Sequence, residues 1–585
     1  MRQVLNEATG FREEMIEGYV TAYGRLLRRV PGASGVVVAG APARGKVTVI
    51  VGGGSGHYPA FYGLVGPGLA DAGVIGDIFT SPSGEQAYRV ARAADGGAGL
   101  LFTFGNYSGD VINFGAAETR LRAEGIDART VLVTDDVLSA PDDVALRRGI
   151  AGGFCVFKVA GASSARGDDL ATVEALTRHA NDRVRTVGVA FAGCTIPGQG
   201  EPLFTVPERM MEVGLGIHGE PGVSTGPMLP AREIAALMVE TLLADAPAGA
   251  GGQVGVIVNG LGSTKYEELF VLYQGIAPLL TRAGLETYRP HVGEFVTALD
   301  MAGCSLSLFW LDDDLRPLWD APAESPAFTQ AGTGVDRDWG RAAADADATA
   351  GVTGEDRGTT PAAGVGSGAG TEASPGGPAG MLARACLGEA ARAIETTQLH
   401  FGRLDAAVGD GDHGAGMARG FRAASEAVRG DTGGAGAALV RAGTAFGDAA
   451  GGASGALVGA CLVAIGTALP ADDAIDAPAV AGALRAGLET IGRLGQANVG
   501  DKTMIDTLDP FVAAFTGAVE TGAGITAAWL AALPRAEAGM RSTVDMVSRR
   551  GRSARLGERG RGHVDAGATS MYYVLRAAGD ALADG

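Results

Sequence analysis

The chain has 585 residues, too many for one hydrophobic core, so roughly two to four compact units are expected. Apolar residues make up 46% and charged residues 19%, which excludes a chain disordered throughout. A formal charge of −19 excludes a nucleic-acid surface, which needs clustered Lys and Arg; a small phosphorylated ligand held by backbone N–H groups and a cation remains compatible with it.

In chain order, the spacing first predicts a helix over 12–29. Short β-branched runs follow, each ending in a glycine-rich turn: Val47 to Val51 into Gly52-Gly53-Gly54-Ser55-Gly56-His57, Leu100 to Phe104 into Gly105-Asn106-Tyr107-Ser108-Gly109-Asp110, and Val254 to Val258 into Asn259-Gly260-Leu261-Gly262. With helical stretches such as Lys265 to Arg282 between them, residues 1–334 read as an α/β domain of two α/β subdomains. The run 52–57 is out of register for a GxGxxG dinucleotide loop. From 335 to 380 large aliphatic residues nearly vanish, the mark of a flexible linker. Residues 381–585 then switch to helical spacing, as in Leu382, Cys386, Ala390 and Ile394, and read as an all-α domain interrupted by polar turns at 409–416, 451–455 and 557–567.

The chemistry concentrates in those turns. Histidines number seven, and four sit among glycines: His57, His218, His413 and His563. Asp405, Asp410 and Asp412 place three hard oxygen donors within eight residues, suited to Mg²⁺ or else a solvated acidic turn. Gly451-Gly452-Ala453-Ser454-Gly455 opens an uncharged stretch to Leu469, read as a buried helix rather than a membrane span, with its N-terminus free to hold phosphate or simply to turn. The five cysteines form no CxxC pair, and the first residues lack a secretory apolar run, so reduced thiols and no export are expected.

Taken together, these motifs resemble the single-chain, ATP-using dihydroxyacetone kinase family, which includes erythrulose kinases. Further matches are Ile78-Phe79-Thr80-Ser81-Pro82, Gly216-Ile217-His218-Gly219-Glu220, Leu299-Asp300-Met301-Ala302-Gly303, Gly500-Asp501-Lys502-Thr503-Met504 and Asp565-Ala566-Gly567. The resemblance implies a ketone-binding α/β domain and an ATP-binding barrel of antiparallel helices. It implies that His218 captures a small ketose as a hemiaminal, that Asp110 is the general base and that His57 stands at the ketone, with Gly53, Gly54 and Ser55 lining the substrate site. It also implies Mg²⁺ on Asp405, Asp410 and Asp412, ATP against His413, Gly414, Ser454, Gly495, Met504, Arg552 and Asp565, and a cytoplasmic homodimer in which one subunit's ATP domain serves the other's ketone domain. A ligand-sensing relative on the same scaffold is the alternative. Tyr58, Gly105 and Ser108 depart from the family pattern; placed beside the ketone, they would favour a four-carbon ketose such as erythrulose.

Overall fold

The computed structural model describes residues 3–332, 377–406, 409, 411–430, 433–471, 475–550 and 560–584. Most of the expected linker, and Asp410 and Arg552 among the expected site residues, lie outside them.

The α/β domain holds two mixed sheets. The first is built from β1 (Leu27–Arg29), β2 (Gly35–Val38), β3 (Thr48–Ser55), β4 (Ala72–Ile78), β5 (Leu100–Gly105) and β6 (Ala128–Val133), in the order β1-β2-β4-β3-β5-β6. β4, β3, β5 and β6 run parallel, so their carboxyl ends emerge on one side. The second contains β7 (Val184–Ala192), β8 (Met210–Val213), β9 (Ser224–Pro227), β10 (Gln253–Gly260), β11 (Glu286–Gly293) and β12 (Ala302–Trp310), in the order β11-β10-β12-β7-β8-β9.

The expected helix over 12–29 splits: α1 (Phe11–Ala22) stops before Gly24, and Leu27–Arg29 pair with Val36–Val38 instead, burying Leu27. α2 (Gly84–Ala94) and α3 (Ser108–Ala123) cover one face of the first sheet. α4 (Gly153–Arg166), buried from Gly153 to Ser164, forms one apolar core with residues of both sheets, such as Val49 and Phe309, and it packs against α5 (Leu170–Asp182). α6 (Ala231–Ala244) and α7 (Tyr266–Arg282) pack on the second sheet, and α8 (Leu315–Asp320) closes against α4.

The helical domain comprises α9 (Pro378–Ala406), α10 (His413–Ala427), α11 (Ala435–Ala450), α12 (Gly452–Ala468), α13 (Ala477–Gly495), α14 (Ile505–Glu520), α15 (Ile525–Ser542) and α16 (Ala566–Asp584). Each helix packs on the next and α16 returns to α9, closing a ring around Ile394, Phe401, Phe421, Phe446 and Phe511, as expected of a helical barrel. Leu382 and Cys386 line an apolar cavity of about 870 Å³ rather than packing solidly into the core. No helix among the described residues is long and apolar enough to cross a membrane: Gly451 breaks the uncharged stretch into the end of α11 and all of α12.

Candidate active site

Loops at the carboxyl ends of β3, β4 and β5 deliver His57, Phe79 and Tyr107 to one point, and the β8–β9 loop brings His218 to meet them. The glycines of the 216–222 turn are fixed by contact: a Cβ at Gly216 would stand 2.1 Å from Glu220 Oε2, and Gly219 has φ +84°. So folded, the turn lets His218 donate from Nδ1 to Glu220 Oε1 (3.1 Å), while the other Glu220 oxygen accepts the His218 backbone N–H (3.0 Å). Behind Glu220, Arg148 lies 3.7 Å away and is itself held by Asp136 at 2.7 Å. Glu220 is 2% exposed, so its charge is set by these partners rather than by water.

His57 is oriented from the opposite side. Its Nδ1 must donate to the Thr297 carbonyl (2.7 Å), which leaves Nε2 as an acceptor, 3.0 Å from His218 Nε2. His218 presents a lone pair there for the same reason, so the close approach of the two nitrogens requires one proton shared between them. Phe79 stacks on His57 at 4.8 Å, and Tyr107 meets His218 edge-on at 4.6 Å, anchored by its hydroxyl on the Gly149 carbonyl.

The glycines at 52–54 form part of strand β3 rather than a loop. A Cβ at Gly53 would stand 2.3 Å from the Phe61 ring, and one at Gly54 would stand 2.7 Å from the 79–80 backbone, so these positions let neighbours close in. Ser55, at the strand end, buries an Oγ with no hydrogen-bond partner among the described residues, a group suited to a polar ligand. Asp110, buried, lies in the first turn of α3, whose residues Ser108, Gly109 and Ile112 wall a second cavity.

That cavity, about 220 Å³, lies between the two domains, and the N-termini of α3, α10, α12, α14 and α16 converge on it. Their positive dipole ends favour an anion. Asp405, Asp412, His413, Ser454, Gly495, Met504 and Asp565 all line it; Gly414 does not, its missing Cβ making room for the Gln398 carbonyl of α9. His413 is pinned by two hydroxyls, Ser454 Oγ (3.2 Å) and Ser570 Oγ (2.8 Å), and burial lowers its pKa, which keeps the ring neutral. Burial, reinforced by the Asp405 carboxylate, pushes Asp412 up to about 7. Burial, with Asp405 and Asp506 adding to it, pushes Asp565 to the same value. Among the described residues no group of three His, Cys, Asp or Glu side chains forms a metal cluster.

Lys502, in the left-handed region at φ +61°, donates its ammonium to the carbonyls of Met546, Gly560 and His563. It staples the chain ahead of Asp565, a role that a motif match alone did not show.

The Dak1 domain family matches residues 17–327 and the DAK2 domain family residues 407–580. An L-erythrulose kinase from Pectobacterium atrosepticum is 43% identical, covering 99% of this chain and 96% of its own. A D-erythrulose kinase from Mycolicibacterium smegmatis is 44% identical over 100% and 99%. The chain belongs to the dihydroxyacetone kinase family. The crystal structure of the C. freundii dihydroxyacetone kinase in complex with AMP-PNP and Mg²⁺ is 28% identical, covers 99% of each chain and superposes with a TM-score of 0.52.

Against the pattern of dihydroxyacetone kinases, the three departures do not all sit where expected. Tyr58 joins an aromatic cluster with Tyr19 and Tyr62, and Ser108 lines the interdomain cavity. Of the three, Gly105 bears on the histidine pair: a Cβ there would stand 2.8 Å from the Tyr107 ring that packs on His218. The two domains meet within this chain, where Thr80 donates to Asp412 and Asn113 to the Gly452 carbonyl.

Proposed function

We infer that the protein is an ATP-dependent ketose kinase acting on a terminal hydroxyl of dihydroxyacetone or, as in its full-length relatives, of a tetrulose such as erythrulose. One observation carries this reading: the histidine pocket and the anion-binding cavity of a single chain adjoin at the start of α3, where Asp110 stands.

Glu220 keeps the Nδ1 proton of His218, so the Nε2 lone pair can attack the ketone carbon. As that N–C bond forms, the carbonyl π pair moves to oxygen, which takes the proton shared with His57. The ring is then cationic, and the adjacent Glu220 carboxylate stabilises it. Glycerol has no carbon for this step. The trapped substrate presents a terminal hydroxyl to Asp110, which removes its proton as the γ-phosphoryl is transferred. The oxygen donors Asp405 and Asp412 fit Mg²⁺, with Asp410 beside them in sequence, and the ion would neutralise charge on the phosphates.

Replacing Glu220 by Gln removes the charge facing the ring. An approximately 10- to 100-fold loss in kcat/KM is expected, with little change in KM for ATP, measured by steady-state kinetics. A pH effect follows as well. An unfolded carboxylate loses its proton near pH 4 (~3.9 for Asp), whereas folded Asp412 and Asp565 keep theirs to about 7. The folded state therefore binds more protons in between, and metal-free protein should lose stability as pH rises through that window. Calorimetry should show a falling Tm and a larger stabilisation by Mg²⁺ at pH 8 than at pH 5.

The substrate class is tested by ADP release with dihydroxyacetone, D-erythrulose, L-erythrulose and glycerol. Turnover with a ketose but not glycerol supports the reading, and no ketose-stimulated release contradicts it. A cytoplasmic homodimer completes the proposal; sedimentation at working concentration tests the dimer.

A further inference from the structure

The geometry points to Thr80 as a positioning residue that ties phosphoryl transfer to the docking of the helical domain, an inference that rests on the kinase reading above. Thr80 Oγ1 donates across the domain boundary to Asp412 Oδ2 at 3.0 Å, and lies equally close to the Ile78 carbonyl of its own domain. Its methyl group fills the space beside the Gly451-Gly452 turn: a Cβ at Gly451 would stand 3.0 Å from Thr80 Cγ2 and 2.7 Å from the Ser81 carbonyl. Both glycines have positive φ, +64° and +63°, so the turn that opens α12 is shaped to receive this segment. The Ser81 carbonyl then accepts the Gly452 N–H at 3.1 Å, and Asn113 Nδ2 donates to the Gly452 carbonyl at 3.2 Å.

The same short stretch carries the outer docking contacts. Asp77 pairs with Arg419 at 3.3 Å, and Ser83 and Gln86, at the start of α2, both donate to Asp448. At its other end, the segment is joined to the ketone pocket. Phe79 holds the left-handed region at φ +56°, unusual for a bulky residue, with its ring stacked on His57. Phe79 and Thr80 therefore touch the histidine pair on one side and a carboxylate of the anion cavity on the other. A shift of His57 on ketone capture displaces the Phe79 ring, and the next residue passes that displacement to Asp412.

The consequence is a coupling between capture and transfer. With Thr80 in place, Asp412 is set in its working position only when the helical domain is seated on the α/β domain. Without the hydroxyl, nucleotide should still be bound and hydrolysed, but its phosphoryl group should reach water as well as ketose.

Full-length Thr80→Val and Thr80→Ser variants test this, with ADP and ketose phosphate measured in the same reaction, with and without ketose. For Thr80→Val the expected result is about a 10- to 100-fold loss in the rate of ketose phosphate formation, the range for losing one hydrogen bond to a charged group. Less than one ketose phosphate should form per ADP, while ketone capture on His218 is retained. Thr80→Ser should restore the one-to-one ratio, which distinguishes the hydroxyl from mere packing. A Thr80→Val enzyme that keeps both wild-type rate and one-to-one stoichiometry overturns the inference. So does a Thr80→Ser variant no better than Val, or loss of ketone capture in Thr80→Val. Failure of the wild-type chain to form ketose phosphate would instead defeat the kinase reading itself.

Discussion

Replacing His218 by Ala should lower kcat/KM for the ketose on the order of 10³-fold or more, while leaving nucleotide binding and Tm nearly unchanged. The imidazole is 5% exposed and is gripped through Glu220 on one side and His57 on the other. Removing it deletes the nitrogen proposed to bond the carbonyl carbon, and it takes away the lone pair facing His57 Nε2. The variant should also lose most of its preference for ketose over glycerol, since only a ketone can be captured covalently. Parallel kinetics with the two substrates check this; a variant that keeps both rate and preference would contradict the assignment.

Replacing Asp110 by Asn should separate capture from transfer. The isosteric amide cannot take a proton, so turnover should fall by about 10²- to 10⁴-fold. The N-terminus of α3 remains intact, and ketone bound to His218 should persist. Rapid-quench measurement of ketose phosphate, set beside the amount of trapped ketone, distinguishes the two steps. Equal losses in capture and transfer would place Asp110 in the ketone pocket instead of at its seam with the nucleotide cavity.

Some of this was legible in the sequence for physical reasons, and some was not. The strands over 47–51, 100–104 and 254–258 and the helical spacing of the C-terminal region are local signals, and each corresponds to elements seen here. The reach of β3 through Gly52–Ser55 was not readable, because those glycines answer to Phe114, Val74, Phe61, Phe79 and Thr80, which the chain brings back from elsewhere. Tyr58 looked like a pocket residue by its neighbour His57, but it sits in the turn after β3 and its ring enters the Tyr19–Tyr62 cluster. Glu220 stood in plain sight two residues after His218; what hid its role was the tight turn that folds it back onto the ring. Thr80 carried no signal of its own, since its significance depends on two domains meeting across hundreds of residues of sequence.

The central claim is that an imidazole nitrogen of His218 bonds the substrate carbonyl carbon. The most direct measurement is ¹³C NMR of the full-length protein with a ketose labelled at its carbonyl carbon. The bound carbon should leave the carbonyl region for that of a saturated carbon bearing nitrogen and oxygen, and this signal should vanish in His218→Ala. A bound carbon that remains a carbonyl while the enzyme turns over would contradict it.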